Sequence, residues 1–489
     1  MVYDVIIIGA GAIGCALARQ LSQTVNRVLV LEAGEDVSIG ATRANSGIVH
    51  GGFASKNGSN KARFCLAGNR MFSSLSKELD FPYRQTGSVV LAFRDEDWEV
   101  LENLRQNGLA NGVEGLSLLK EDALRSRVPR LAPEGILGAL YCPESGIVSP
   151  YEYAIALMEN AVSNGVELKL FHPVQSLQPY QDQILVQTPQ QEFAAHFVVN
   201  AAGCGAAEVA AMAGPSPFSI TPRKGQYILF RRGSGDGLNT VVFQPPGPMG
   251  KGVLVTPTTW SNLMIGPDAQ EIEDANDVST DPQSLASVVQ RAKRSVCDFQ
   301  LHDAIRLFSG VRPASNRGDF ILEWSEHLPG LLHLAGIESP GLTASPALAQ
   351  EAFRMLVQSG LSENANPDFT RHRRAPVHYQ ALAPAKEAAA AARLPEGNPE
   401  RIVCRCEQVE EQAIKEALHR GIPLSSTDAV KRRTRAGMGI CQGNFCLPRV
   451  KDLLVQETQC PESDILLPSR DKGEMKAQLD ALRRLLHED

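Results

Sequence analysis

No run of uncharged apolar residues in the 489-residue sequence approaches the roughly 18 to 20 that a membrane-spanning helix needs. The early run Val5-Ile-Ile-Ile8 is too short for the core of a secretory leader. It has Asp4 where a basic flank belongs and runs straight into a glycine turn. A cytosolic chain is therefore expected, with peripheral docking on an inner membrane as the allowed variant. Basic charge is not in excess either: 48 Lys and Arg stand against 55 Asp and Glu, a formal net charge of −7. That balance, with no nucleic-acid-binding motif, argues against a nucleic-acid partner. No internal repeat is present, which excludes a repeat architecture.

What is there begins with length. At 489 residues, 43% hydrophobic and 21% charged, the chain is an ordinary soluble globular protein too long for one core, so two or three domains are expected. Residues 3–8 read as a buried parallel strand, Ala12 to Leu21 as the helix that follows, and Arg27 to Leu31 as a second strand. Between the first two lies Gly9-Ala-Gly11-Ala-Ile-Gly14, the spacing of a dinucleotide-binding turn. Gly9 permits the tight turn, Gly11 lets backbone approach a pyrophosphate, and Gly14 lets the helix pack close to the sheet. The helix N-terminus then stabilises the phosphate charge. Glu32, ending the second strand, is placed to accept hydrogen bonds from the adenosine ribose. FAD and NAD share that half, and these residues do not separate them.

Val198-Val-Asn-Ala-Ala-Gly203 and Gly330-Leu-Leu-His-Leu-Ala-Gly336 look like further strands of the same sheet, so the dinucleotide domain is expected to be assembled from separated segments. Gly87-Ser-Val-Val-Leu-Ala-Phe93, Gly225-Gln-Tyr-Ile-Leu-Phe230 and Gly252-Val-Leu-Val-Thr256 predict a second, largely antiparallel sheet. Pro367 to Arg401, rich in Arg, Ala, Pro and Glu, reads as a partly helical connector. Met475 to Leu486 reads as a terminal amphipathic helix.

Of the ten cysteines, free thiols and metal ligands in a reducing compartment, four stand apart: Cys404-Arg-Cys406 and Cys441-Gln-Gly-Asn-Phe-Cys446. Two close pairs brought together by folding can hold four thiolates around a 2Fe-2S cluster, and tetrahedral zinc is the competing assignment. Cys15, Cys65, Cys142, Cys204, Cys297 and Cys460 show no ligand spacing. Lys431-Arg-Arg-Thr-Arg435 suits a solvated helix face, as such runs usually do, but also cluster tuning or the docking of an acidic partner, and the sequence does not decide between them.

Ala41-Thr-Arg-Ala-Asn-Ser-Gly-Ile-Val-His50-Gly-Gly, with Lys61-Ala-Arg-Phe-Cys65, resembles the flavin-contacting segment of the glycine/D-amino-acid oxidase type of FAD enzymes. Within that group it is most similar to the FAD-dependent glycerol-3-phosphate dehydrogenases and the L-2-hydroxyglutarate dehydrogenases. Gly146-Ile-Val-Ser-Pro-Tyr151, Val199-Asn-Ala-Ala-Gly203, Pro222-Arg-Lys-Gly-Gln-Tyr227, Gly310-Val-Arg-Pro313 and Gly336-Ile-Glu-Ser-Pro-Gly-Leu-Thr-Ala-Ser345 follow in family order. Thr434-Arg-Ala-Gly-Met-Gly-Ile-Cys441 through Cys446 resembles the bacterioferritin-associated-ferredoxin-like domain, especially that of the anaerobic glycerol-3-phosphate dehydrogenase large subunit.

The resemblance implies an α/β fold: a Rossmann-like FAD-binding domain (1–80, 145–220, 325–365) interleaved with a mixed, largely antiparallel β-sheet substrate domain (81–144, 221–324). A connector (366–400), a small, mainly helical 2Fe-2S domain (401–465) and a helical tail (466–489) follow. FAD contacts are implied at Gly9, Gly11, Gly14, Glu32, Ala33, Thr42, Asn45, Ser46, Gly47, Val174, Ala202, Gly203, Gly310, Arg312, Gly336, Pro340, Gly341, Leu342 and Thr343. Cys404, Cys406, Cys441 and Cys446 would hold the cluster.

Oxidising an alcohol requires a base for the hydroxyl proton, and His50, among small residues in the flavin-facing segment, is the first candidate. Arg312 offers a planar fork to a carboxylate or phosphate; Lys224 and Arg223 come next, then Lys251 and Lys61. The expected activity is oxidation of a small anionic alcohol, with sn-glycerol 3-phosphate favoured. Electrons would leave through the cluster toward a partner flavoprotein or a quinone-linked subunit. The rivals are a dehydrogenase of L-2-hydroxyglutarate or of an amine such as an opine or hydroxyproline, and a non-catalytic electron-transfer subunit.

Overall fold

Apolar at nearly every position, Val2–Ile8 is suited to the middle of a sheet covered on both faces. In a computed structural model, which describes residues 2–246, 252–377, 382–468 and 472–487, it pairs in parallel with Glu192–Asn200 on one edge and Val28–Leu31 on the other. Leu331–Ala335 and Glu167–Lys169 extend the sheet outward, again in parallel. The antiparallel strands Ser176–Tyr180, Gln183–Gln187 and Ile321–Trp324 complete it. Helix Ala12–Leu21 lies against Pro150–Ser163 and Gly341–Gln358. Leu17 and Leu21 on it are fully buried, each contributing about 1.5–3 kcal/mol.

Among the described residues the second sheet has nine strands drawn from residues 88–142 and 220–315. Its spine is the antiparallel pair Ile220–Arg232 and Ala304–Ser315, and among the described strands only Val241–Phe243 and Ser88–Ala92 pair in parallel. Ile228 and Phe230 share a core with Leu285 and Val289 of helix Pro282–Lys293 and with Leu479 and Leu482 of the terminal helix Lys472–Leu486. The C-terminal helix is thus a structural layer on the outer face of this sheet.

The cysteine-bearing segment folds as a two-stranded hairpin, Ile402–Cys404 with Val409–Glu410, and three helices, Glu411–Leu418, Thr427–Thr434 and Leu447–Thr458. Its core (Ile414, Val430, Leu453) is continuous with that of the parallel-sheet unit. The basic run is not a solvated face. Arg432 and Arg433 each place Nη2 at 2.8 Å from the fully buried Asp36 carboxylate, and Arg435 reaches Glu407 at 2.9 Å. Arg420 and Arg373 converge on Glu159 at 2.8 and 2.7 Å, so the first part of the connector is tied down as well. Buried guanidinium groups persist where carboxylates pair with them. Farther along the connector, Ala385–Ala391 is helical.

Candidate functional site

A cavity of about 1750 Å³ opens where the parallel strands end at their carboxyl sides, lined by Ile8, Gly9, Glu32, Ala202 and Gly336. Arg223, Tyr227, Leu229, Phe308 and Arg312 of the second sheet form the facing wall. Ligands of open α/β sheets bind at such strand ends, and the volume exceeds the roughly 300–1,000 Å³ of ordinary small-molecule pockets.

At the dinucleotide end the chain has no room for side chains. Gly9 sits at φ +103°, and a Cβ on Gly14 would lie 1.9 Å from the Gly9 carbonyl oxygen. The helix therefore starts directly on the strand turn, and its Ala12 N–H donates to Thr42 Oγ1 at 2.9 Å. Glu32 accepts from the backbone N–H groups of Ala10 (2.7 Å) and Gly34 (2.9 Å). Burial pushes its pKa up, with those N–H groups pulling the other way. Each carboxylate oxygen retains acceptor capacity toward a ribose hydroxyl. Gly11, Ala33, Val174 and Gly203 also line this cavity; Gly14 lies behind it.

The 41–47 loop is folded by Asn45, which donates to the carbonyls of Thr42 (2.7 Å) and Ala41 (3.1 Å) and accepts from Gly47 N–H (2.8 Å). It presses on the second sheet at Gly310, where a Cβ would meet the Ala44 oxygen at 1.9 Å. Gly310→Ala is accordingly expected to displace the loop and lower the flavin-to-protein absorbance ratio of the purified protein severalfold; an unchanged ratio would show that the contact is dispensable. Ser46, Gly47, Pro340, Gly341 and Leu342 line the cavity, the last two at the N-terminus of helix Gly341–Gln358, whose dipole favours negative charge there. Thr343 is fully buried. Its hydroxyl accepts from His50 N–H at 2.9 Å and lies 3.3 Å from the Ile48 carbonyl, so it fixes the segment that carries His50.

His50 borders the cavity, its ring 6.1 Å from and nearly parallel to Phe243, with Nε2 3.4 Å from Ser339 Oγ. Arg312 borders it too, donating to the Asp268 carbonyl at 3.4 Å and lying beside the Tyr227 hydroxyl. Gly225 makes this pose available, since a Cβ there would stand 2.2 Å from Arg312 Nη2. Lys224 is a correction. Alternate strand residues face opposite ways, so Arg223, Gly225 and Tyr227 share the cavity side. Lys224 turns away, buried in an ion pair with Asp277 at 2.6 Å. Arg223 pairs with Glu271 (2.9 Å) and Lys61 with Glu338 (2.8 Å) at the cavity edge; Lys251 lies outside the described residues.

The cysteine segment closes the cavity with Lys431, Arg435, Met438 and Gln442, a role its sequence did not announce. Tyr151 Oη donates to Met438 Sδ at 3.6 Å, and the adjacent Gly437 N–H donates to Cys404 Sγ at 3.5 Å. Among the described residues no three His, Cys, Asp or Glu side chains stand at metal-holding spacing. The thiols meet instead as two hydrogen-bonded pairs, Cys404 with Cys446 and Cys406 with Cys441. Within the first pair the mutual hydrogen bond depresses the Cys404 thiol and raises Cys446. Two thiolates per iron is what a four-cysteine 2Fe-2S centre requires, whereas a single tetrahedral zinc needs all four at one point. The donor set fits the cluster.

The sequence pattern of the FAD dependent oxidoreductase (DAO) family matches residues 4–355. The chain belongs to that family. Residues 402–456 match the BFD-like 2Fe-2S binding domain, and FAD and a 2Fe-2S cluster are the cofactors of this oxidoreductase. It is 39% identical to a glycerol 3-phosphate dehydrogenase of Caloramator mitchellensis over 93% of this chain and 94% of that protein. It is 31% identical to L-2-hydroxyglutarate dehydrogenase of Escherichia coli (strain K12), over 55% and 64% of the two chains. The FAD-bound, dithionite-reduced L-α-glycerophosphate oxidase of Mycoplasma pneumoniae superposes with a TM-score of 0.73 at 28% identity, covering 77% of this chain and all of the other. The oxidoreductase has, among its described residues, no helix long and apolar enough to cross a membrane.

Proposed function

We propose that this oxidoreductase converts sn-glycerol 3-phosphate to dihydroxyacetone phosphate and passes the electrons out through its cysteine module. The observation that carries the reading is that His50 and Arg312 border one cavity that the cysteine module also lines. Bound FAD supplies a hydride acceptor, and the 2Fe-2S cluster a one-electron carrier. Gly9, Gly11, Glu32 and Thr42 would hold the adenosine and pyrophosphate, the 44–47 backbone and the helix start at Gly341 the flavin, and the four cysteines the cluster.

His50 takes the hydroxyl proton, leaving the carbon free to give up its hydride. Arg312, steadied by the Asp268 carbonyl and Tyr227, holds the anionic end of the substrate. Met438 lines the cavity and the adjacent Gly437 N–H donates to Cys404 Sγ, so with both cofactors bound the cysteine module would lie beside the flavin cavity as an electron carrier. A redox partner would receive the electrons.

Arg312→Lys loses the fork geometry and is expected to raise KM for glycerol 3-phosphate about tenfold or more, the loss of one charge-assisted hydrogen bond. An unaltered KM would place Arg312 outside the substrate site. The decisive experiment is an absorption spectrum of protein purified without air, followed by titration with glycerol 3-phosphate. Bleaching of the flavin band is expected. The same fork suits a carboxylate, and the similarity to L-2-hydroxyglutarate dehydrogenase makes that acid the second reading. Bleaching by it alone would replace the first.

A further inference from the structure

The two most exposed large apolar side chains among the described residues are Phe445, at 81%, and Ile440, at 66%. Both immediately precede cluster ligands, Cys446 and Cys441, and the exposed Arg405 immediately precedes a third, Cys406. The four thiols are oriented as well. Cys404 and Cys446 are buried at 1% and 2% exposure, with Cys404 on the Gly437–Met438 side that faces the cavity. Cys406 and Cys441 form the partly exposed pair. Ile440 and Arg405 flank the partly exposed pair and Phe445 flanks the buried Cys446, so the ligand segments carry a collar of two exposed apolar side chains and one exposed cation. Isolated exposed apolar residues need no explanation, but two at the mouth of a redox centre mark a contact surface.

We propose that Ile440, Phe445 and Arg405 form the docking face for a small acidic protein that accepts one electron at a time. The proposal rests on the reading that electrons leave through this module. A short, apolar collar suits the weak encounters of redox partners, which bury less than about 1,200 Å². An aromatic anchor is the usual centre of such contacts. Arg405 offers an acidic partner an exposed cation beside Cys406.

Oxidised rubredoxin, a small acidic one-electron iron protein, is the probe. Calorimetric titration against the full-length protein loaded with FAD and cluster should show binding that weakens at least tenfold in the double variant Ile440→Ser, Phe445→Ser and, separately, in Arg405→Glu. Iron content and flavin spectrum should match the parent. In a second arm the flavin is photoreduced, and rubredoxin reduction should slow in the variants while reduction of phenazine methosulfate does not. Neither arm uses substrate, so a failure of glycerol 3-phosphate to bleach the flavin would sink the substrate assignment and leave this test intact. No binding by the parent, or equal affinity in parent and both variants, would overturn the docking face. So would loss in the variants of binding to anionic phospholipid vesicles with rubredoxin affinity unmoved, which would make the collar a membrane contact.

Discussion

His50→Gln is expected to lower the rate of flavin bleaching by glycerol 3-phosphate by a factor on the order of 10² to 10⁴, the usual contribution of a general base. FAD should remain bound, because His50 contributes to the loop through its backbone: its N–H is held by Thr343 and its carbonyl by Asn69 at 3.0 Å. Glutamine keeps those bonds and approximates the size of the ring that packs against Phe243. What it loses is a nitrogen able to take a proton near neutral pH. Anaerobic stopped-flow absorbance reads the bleaching step without the acceptor. A rate equal to the parent's would remove His50 from the chemistry and leave it as a packing residue.

The second large effect is expected at a residue with no chemical role. Asp36→Asn leaves Arg432 and Arg433 buried and facing each other without their shared carboxylate. Breaking a buried pair in this way costs on the order of 3–5 kcal/mol. The cysteine module should loosen from the flavin domain, seen as faster proteolysis within residues 366–400 and a separate, earlier thermal transition. A single transition at the parent temperature would contradict the latch. The pH dependence has a definite sign. Burial alone would raise the Asp36 pKa, but Arg433 and Arg432 override it and hold the carboxyl below its ordinary value. A depressed acid contributes its stability fully above the unfolded pKa, about 3.9, and loses it as pH falls through the lower folded value. The parent latch should therefore hold through the neutral range and open only in strong acid, while the variant is loose at neutral pH.

The two sites differed in how much of them could be read from residues alone. The glycine turn was legible because its demands are backbone demands: a positive φ at Gly9 and the close approach at Gly14 leave few alternatives at fixed spacing. Glu32 followed from the strand it ends. The place of the basic run 431–435 was not legible, since charges at helical spacing look the same whether they meet water or a buried carboxylate. The carboxylates that Arg432 and Arg433 meet, Asp36 and Glu159, lie hundreds of residues away. Lys224 was misplaced for a simpler reason. Two adjacent cations on a strand cannot share a face, and in the structure it is Arg223, Gly225 and Tyr227 that face the cavity beside Arg312.

By itself the sequence determined the glycine turn between strand and helix, the two kinds of sheet and the close spacing of the cysteine pairs, because each is local geometry or short-range spacing. Tertiary structure alone decided which cations face the cavity, that the cysteine module walls it, and that the thiols pair across their two segments. Those are contacts between residues far apart in the chain, and no local propensity encodes which distant surface a side chain will meet.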